Sequence, residues 1–495
     1  MKGAYRRNMT KPGCRISNTS FAAVFFAVIT LLCLPGCAGY STPAPPNAQW
    51  APTRKQSKTP APDKTWQGIR ARAPEGNEPL SLAKLLDTAF CNSPITSKSW
   101  NDIKSKKAAL GQARSTLLPQ VSVTGRGQRE KSVPNTVSGE ANQLKYGPSG
   151  KAELLLFDFG GRNASIEAAY QDMLSAGYTF NQSLQDIILN VQKAYYELFS
   201  AYSVVQSAKA DLADTGKGLE AADLKYRSGI VSKLDKLQAE SSYNRSLYEL
   251  EDANGRLKQA KAQLAITVGF SADTDINIVM PQREAPFQMR ESDIREMIDE
   301  ALSCRPDIAS ARAAADEKKA KIRQANSALW PVINIGGTYG HDWYKYYNEK
   351  QARDNAYDYG GYLSVDWDIF DGFYNLNKKL QAEAEFNAAL DTLIQLELEA
   401  SADVWKNYFD YNTAVKKLGY SKAYLESSTA SHELALEGYS QGLRDMLDLL
   451  QAQGDVSNAR AKHVDSQRQV FVAAVELAHA TGSLKTGTSP EKEGQ

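Results

Sequence analysis

Two stretches of this chain carry nearly the same residues in the same order. The first reads Ala89, Pro94, Leu118-Pro119, Phe157-Asp158, Tyr226, Gly229, Leu234, Asp235, Gln238 and Ala239. The second reads Ala301, Pro306, Trp330-Pro331, Phe370-Asp371, Tyr439, Gly442, Leu447, Asp448, Gln451 and Ala452. The offset is 212 positions as far as the prolines (331 minus 119) and 213 from the Phe-Asp pairs onward (370 minus 157). A spacing held to one residue over about 150 positions marks two copies of one supersecondary unit. Each copy reads as two short strands and one very long helical hairpin, and neither contains a recognisable catalytic kit.

The helical part dominates each copy. From about 163 to 225 there is no proline, and Leu184, Ile188, Val191, Tyr195, Leu198, Tyr202 and Val205 recur at three- and four-residue intervals, which predicts one continuous helix. Leu398, Val404, Tyr408, Tyr411, Val415 and Leu418 mark its partner between about 375 and 437. Some 62 residues at 1.5 Å each make a rod of roughly 90 Å, longer than a globular domain needs. Gly229 and Gly442 mark the turns into returning helices, giving hairpins over 163–268 and 374–480. The stripes are Ala-rich and interrupted rather than sustained Leu/Ile heptads, which suits staves packed on two neighbours better than a two-stranded coil. Tyr195 and Tyr408 occupy equivalent positions and read as packing between such staves. Shorter helices are expected on either side of Pro94 and of Pro306.

The strands are expected near 119–129, 151–159, 331–340 and 360–370. In the last, Leu363, Val365, Trp367 and Ile369 alternate with Ser364, Asp366 and Asp368, so one face prefers hydrocarbon or a core and the other water. Such alternation marks strands of outer-membrane barrels and is common in soluble sheets too. Four strands cannot close around an aqueous lumen, and open edges cannot stand in lipid, so a membrane-spanning version must share its barrel with copies of itself. Polar loops are expected at 130–149 and 340–358. The second opens on Trp343, Tyr344, Tyr346 and Tyr347, a membrane-interface girdle or a plain loop cluster.

The first 36 residues hold Lys2, Arg6, Arg7, Lys11 and Arg15 and no acid, leaving about −4 of the formal +1 for the rest of the 495 residues. A nucleic-acid partner has no electrostatic support. The basic residues precede an apolar run, Phe21 to Leu34, too short to span a bilayer comfortably and built like a secretory signal. Leu34-Pro35-Gly36-Cys37 resembles a bacterial lipobox, which implies an acylated Cys37 as the first mature residue, with Ala38 behind it resembling the outer-membrane sorting pattern. A Pro-, Ala- and Ser-rich tether would follow to residue 79, and 481–495 reads as a disordered tail. Cys91 and Cys304, at non-equivalent positions, are expected as buried or half-buried thiols. His341, His432, His463 and His479 lack metal-ligand spacing, and Gly160-Gly161 reads as a strand-to-helix corner rather than a phosphate loop. No metal, cofactor or enzyme activity is expected.

The whole pattern resembles the TolC-like outer-membrane efflux channels, and more closely their lipoprotein branch, which works with resistance-nodulation-division pumps. The resemblance covers residues 80–480 and is carried by Leu34-Pro35-Gly36-Cys37, Cys304-Arg305-Pro306-Asp307-Ile308, the strands that begin at Pro119 and Pro331, the Phe-Asp pairs, and Glu437-Gly438-Tyr439-Ser440-Gln441-Gly442-Leu443-Arg444. It implies a mixed α/β membrane protein: a homotrimer with a twelve-stranded transmembrane β-barrel continued by a long periplasmic α-helical barrel. The repeats would span 80–281 and 282–480. It implies a periplasmic gate in which Tyr439, Arg444 and Asp235 make closing contacts between neighbouring hairpins while Asp448 supplies an acidic ring. The family's second acidic position falls on Gln451, a departure that leaves one ring where some relatives have two.

The expected function is the passive exit duct of a tripartite efflux pump, with a periplasmic adaptor, an inner-membrane pump and outer-membrane lipid as partners. A duct for secreted proteins and a periplasmic adaptor or coiled-coil structural lipoprotein remain alternatives at this point. Drugs, dyes, metal ions and organic acids all stay open as cargo.

Overall fold

The computed structural model describes residues 79–132, 141–280, 293–347 and 353–484. The expected signal, Cys37, the tether up to residue 78 and positions 485–495 of the expected tail lie outside the described residues. All that is described belongs to one unit, Asp63–Gln495.

Two short helices open each copy: α1 (Leu82–Asn92) and α2 (Pro94–Ser115) in the first, α5 (Asp293–Cys304) and α6 (Pro306–Ser327) in the second. Proline at the first helical position explains the break, because its missing N–H is one that a helix start leaves unpaired anyway. Ser93 serves both sides of the first break: its backbone N–H closes α1 on the Ala89 carbonyl, and its hydroxyl accepts from the Ile95 N–H. Strands β1 (Gln120–Ser132) and β2 (Ala141–Phe157) follow in the first copy, β3 (Val332–Tyr346) and β4 (Arg353–Asp366) in the second. The long helices come last: α3 (Gly161–Arg227) with α4 (Lys233–Val268), and α7 (Tyr374–Gln441) with α8 (Met446–Ala480). At 67 and 68 residues, α3 and α7 are each about 100 Å long.

The Phe-Asp pairs sit at the corner between sheet and rod. There the backbone turns through left-handed residues, Phe159 and Gly160 in one copy, Gly372 and Phe373 in the other. The carboxylate of Asp158 accepts the Arg162 backbone N–H and that of Asp371 accepts from Asn375, so each acid covers an unpaired donor at the start of a 100 Å helix.

The strands form one antiparallel sheet in the order β1-β2-β3-β4, with β1 and β4 at its edges. They run further from the helices than their apolar alternation suggests. β1 continues to Ser132, β2 starts at Ala141 and β3 carries Trp343, Tyr344 and Tyr346 as strand rather than loop residues. The alternation fades because the apolar positions give way to aromatic and cationic ones while the ladder continues, tied across strands by pairs such as Lys145–Asp342 at 2.9 Å. β4 conversely stops at Asp366, and the Trp367 indole donates to the Leu329 carbonyl at 3.2 Å in the corner.

The core lies between helices. Leu85, Leu86 and Ala89 of α1 pack on Ile187, Ile188, Val191 and Leu198 of α3 and on Leu264 and Val268 of α4, with Ile276 and Ile278 closing the cluster. Tyr195 is buried there, its hydroxyl bonded to the Val279 carbonyl; Tyr408 is buried in the matching cluster of the second copy. Burial pushes the Tyr195 phenol up to about 12. Two expectations need correction. Cys91 and Cys304 are exposed, because the buried faces of α1 and α5 run through Ala89 and Ala301 and leave these positions outside. The expected tail begins later than residue 481: Thr481 is buried and Leu484 packs against the first core cluster. Among the described residues no helix is long and apolar enough to cross a membrane, which leaves the sheet unconstrained.

Candidate gate at the helical tip

The two hairpins turn at the end of the rods farthest from the sheet, and their tips differ in what holds each helix start. In the first, Ser232 and Asp235 form a reciprocal cap: the Asp235 N–H donates to the Ser232 hydroxyl at 3.3 Å and the Ser232 N–H donates to the Asp235 carboxylate at 3.2 Å. In the second, Asp445 takes over capping by accepting the Asp448 N–H at 2.8 Å. The Asp448 carboxylate meets Arg444 instead, at 3.3 Å in an exposed pair. Gln451 donates to Asp455 one turn further on, at 3.2 and 3.3 Å from its two oxygens. Arg444 therefore pairs within its own hairpin, and Asp235 is engaged in its own cap.

Tyr439 joins the hairpins. It is 2% exposed, packed with Ala222 of α3, Ala239 of α4 and Met446 and Leu449 of α8. Lys225, in the last turn of α3, stands 4.3 Å from the centre of its ring and donates to its backbone carbonyl. Burial, and secondarily the negative charge of Asp235, push the Tyr439 phenol above its ordinary range.

A second junction lies further up the rods. Arg460 of α8 reaches both Asp211 and Asp214 of α3, bonding the former closely and the latter at 2.9 Å. Ser457 donates to Asp211 at 2.8 Å. Burial would depress the guanidinium, but the two carboxylates outweigh it and hold Arg460 above its ordinary range. Nearby on α7, His432 is 3% exposed and its Nε2 has no partner. Burial lowers its pKa, with Arg460 and Lys217 acting the same way and Asp214 and Glu433 opposing.

Lys225, Arg460, Asp211 and Asp214 escaped the reading of the sequence, which weighed His432 only as a metal ligand. A signal was available in the mismatch between copies: 213 positions away, Asp211, Asp214 and Arg460 face Tyr424, Ser427 and Leu247, and His432 faces Leu219. Among the described residues no cluster of three His, Cys, Asp or Glu side chains is placed to hold a metal ion.

A family model described as outer membrane efflux protein matches residues 85–269 and 297–483, one match for each repeat. Protein CyaE of Bordetella pertussis is 27% identical over 418 residues, covering 84% of this chain and 87% of CyaE. Outer membrane protein TolC of Escherichia coli K12 is 22% identical over 423 residues, covering 82% of each. The solved outer membrane protein VceC from Vibrio cholerae superposes with a TM-score of 0.69 at 18% identity, covering 81% of this chain and 96% of VceC.

Proposed function

Because the chain belongs to the outer membrane efflux protein family, with both repeats matched, we propose that three copies assemble into a single duct through the outer membrane and across much of the periplasm. Its role is that of a passive exit channel of an efflux pump, and it performs no covalent chemistry. The observation that carries the trimer is the four-stranded sheet, whose edges β1 and β4 are open. Those edges are incompatible with lipid unless another chain covers them. Three sheets joined edge to edge give twelve strands, enough to enclose water. The two repeats then let three chains supply six similar hairpins.

The gate is assigned to Asp235, Tyr439, Arg444 and Asp448, with Gln451 leaving the acidic ring single. An exposed ion pair such as Arg444–Asp448 is worth only about 0–1 kcal/mol, so a docking partner has enough energy to rearrange it. Three Asp448 carboxylates around a narrow throat would favour cations. A periplasmic adaptor and an inner-membrane pump are the partners this reading requires, and two acyl chains on Cys37 would anchor the duct beside its own barrel. Cargo is chosen upstream, since a wide polar lumen need not recognise it.

The test is conductance of the purified trimer in planar bilayers. Arg444→Ser or Asp235→Asn raises the resting conductance; unchanged conductance removes the gate role, and a monomer that never inserts removes the duct.

A further inference from the structure

The sheet sorts its charges by face. The register is unbroken between β1 and β2, between β3 and β4, and between β2 and β3 from Gln143 to Leu155, so alternation fixes which residues share a side. All six acids of the four strands, Glu130, Glu153, Asp342, Asp354, Asp358 and Asp366, fall on one side. The other side carries exposed Val121, Val123, Ile335, Leu363 and Val365, and its four cations, Arg129, Lys131, Lys345 and Arg353, all lie at the end away from the helices.

Three of those cations are aligned, with Lys131 two residues further out. Arg129 stands opposite Leu144, Leu144 opposite Lys345, and Lys345 opposite Arg353, one row across all four strands. Arg129 and Lys345 both lie over the Tyr347 ring, at 4.9 and 5.1 Å. Directly beneath is an aromatic tier: Tyr146 stacks on Trp343 at 5.7 Å, and His341 lies between Trp343 at 4.1 Å and Tyr357 at 4.2 Å. Below that stand Tyr339 and Tyr359, opposite each other on β3 and β4, and only then the aliphatic positions. Edge strands often carry Lys and Arg to discourage aggregation, but Lys345 is on a central strand, and a row selected for solubility would mix both signs.

Height identifies what the row meets. Ile333 and Lys345 are 12 residues apart, about 40 Å along a strand and about 30 Å in height at a barrel tilt near 40°. That clears the roughly 25 Å apolar band of a barrel and brings the row level with headgroups. The opposite strand ends lead into the periplasmic helices, so these headgroups belong to the outer leaflet.

We propose that this basic row and its aromatic tier form a binding surface for a phosphorylated glycolipid of the outer leaflet, of the lipopolysaccharide class. This rests on the reading that the sheet is part of an outer-membrane wall. Guanidinium and ammonium groups pair with the phosphates, Arg in a two-pronged fork, and the flat rings cover sugar faces. With four cations per chain, a trimer displays twelve, which meets the repeated negative charge of such a leaflet without a bridging metal ion. A simple acidic phospholipid offers one phosphate and no sugar for the rings.

The experiment compares intact trimers purified in mild detergent: wild type, a four-site variant (Arg129→Gln, Lys131→Gln, Lys345→Gln, Arg353→Gln) and a control with Lys145→Gln and Lys151→Gln on the acidic face. Glycolipid retained per trimer is measured by native mass spectrometry, and the melting shift of delipidated protein is measured with added lipopolysaccharide or phosphatidylglycerol. At about fivefold per lost surface charge, the four-site variant retains at least tenfold less glycolipid while the control matches wild type. Wild type responds to lipopolysaccharide and much less to phosphatidylglycerol. Equal retention in the four-site variant overturns the proposal, as does an equal response to both lipids. Should the four-site variant not assemble, Lys345→Gln alone and the wild-type lipid comparison decide. A wild type that conducts in bilayers yet holds no glycolipid sinks this inference alone; one that forms no channel sinks the underlying reading with it.

Discussion

The two hairpin tips share a backbone and differ in almost every contact that matters. Tyr226 and Tyr439 are equivalent, yet the first is 37% exposed and the second 2%. Asp235 and Asp448 are equivalent, yet the Asp235 carboxylate accepts the Ser232 N–H while the Asp448 carboxylate faces Arg444, Asp445 standing where Ser232 does and accepting the Asp448 N–H. The position matching Arg444 holds Val231. A duplicated unit has thus kept its geometry and divided its duties: the first hairpin is the seat, and the second is the part that docks on it through Tyr439 and Arg460.

The sharpest way to break that contrast is Tyr439→Ala. Removing a buried aromatic costs about 3–5 kcal/mol, while Tyr226→Ala should cost less than about 1. Hydrogen exchange of tip amides in α3 and α4 reads the difference, and similar exchange in both variants would abolish the distinction. Next in size is Arg460→Ala, which strands Asp211 and Asp214 and is expected to destabilise by about 3 kcal/mol in denaturant unfolding. Leu247→Ala at the matching place should shift the midpoint little, since Leu247 is exposed.

A smaller effect is set by pH. His432 has a folded pKa below its ordinary 6.5, so above that pH both folded and unfolded chains leave it neutral and nothing is lost. Below it the unfolded chain takes the proton first, and stability falls until the folded value is passed. His432→Leu, which copies Leu219 of the other repeat, should flatten the melting temperature over this interval. An unchanged acid drop in that variant would assign it elsewhere. Smallest in stability is Arg444→Ser, under about 1 kcal/mol for an exposed pair. Its conductance should nonetheless rise, separating gate from scaffold.

What could be read from the chain was what repeats. The helix ends, the prolines at helix starts and the glycines at hairpin turns are local, so 20 neighbouring residues determine them. The Phe-Asp pairs were visible as markers, but that Asp158 and Asp371 accept backbone donors at a corner needed the chain to turn. The strands outrun their apolar stretches, because Arg129, Tyr146 and Lys345 extend the ladder with cationic and aromatic side chains that carry no alternation of apolar and polar positions. The Arg460 junction joins residues 246 and 249 positions apart on different repeats, and no local window contains that information.

The rods themselves have a mechanical consequence. α3 and α7 run from the corner to the tip without a proline, so neither has a built-in joint along about 100 Å. One degree of tilt at the Phe159 or Phe373 corner sweeps the distant end by roughly 2 Å over that lever arm. In the proposed duct, small repacking at the corner and large displacement at the tip are thereby two readings of one motion, and stiffness becomes the means by which a distant iris would be steered.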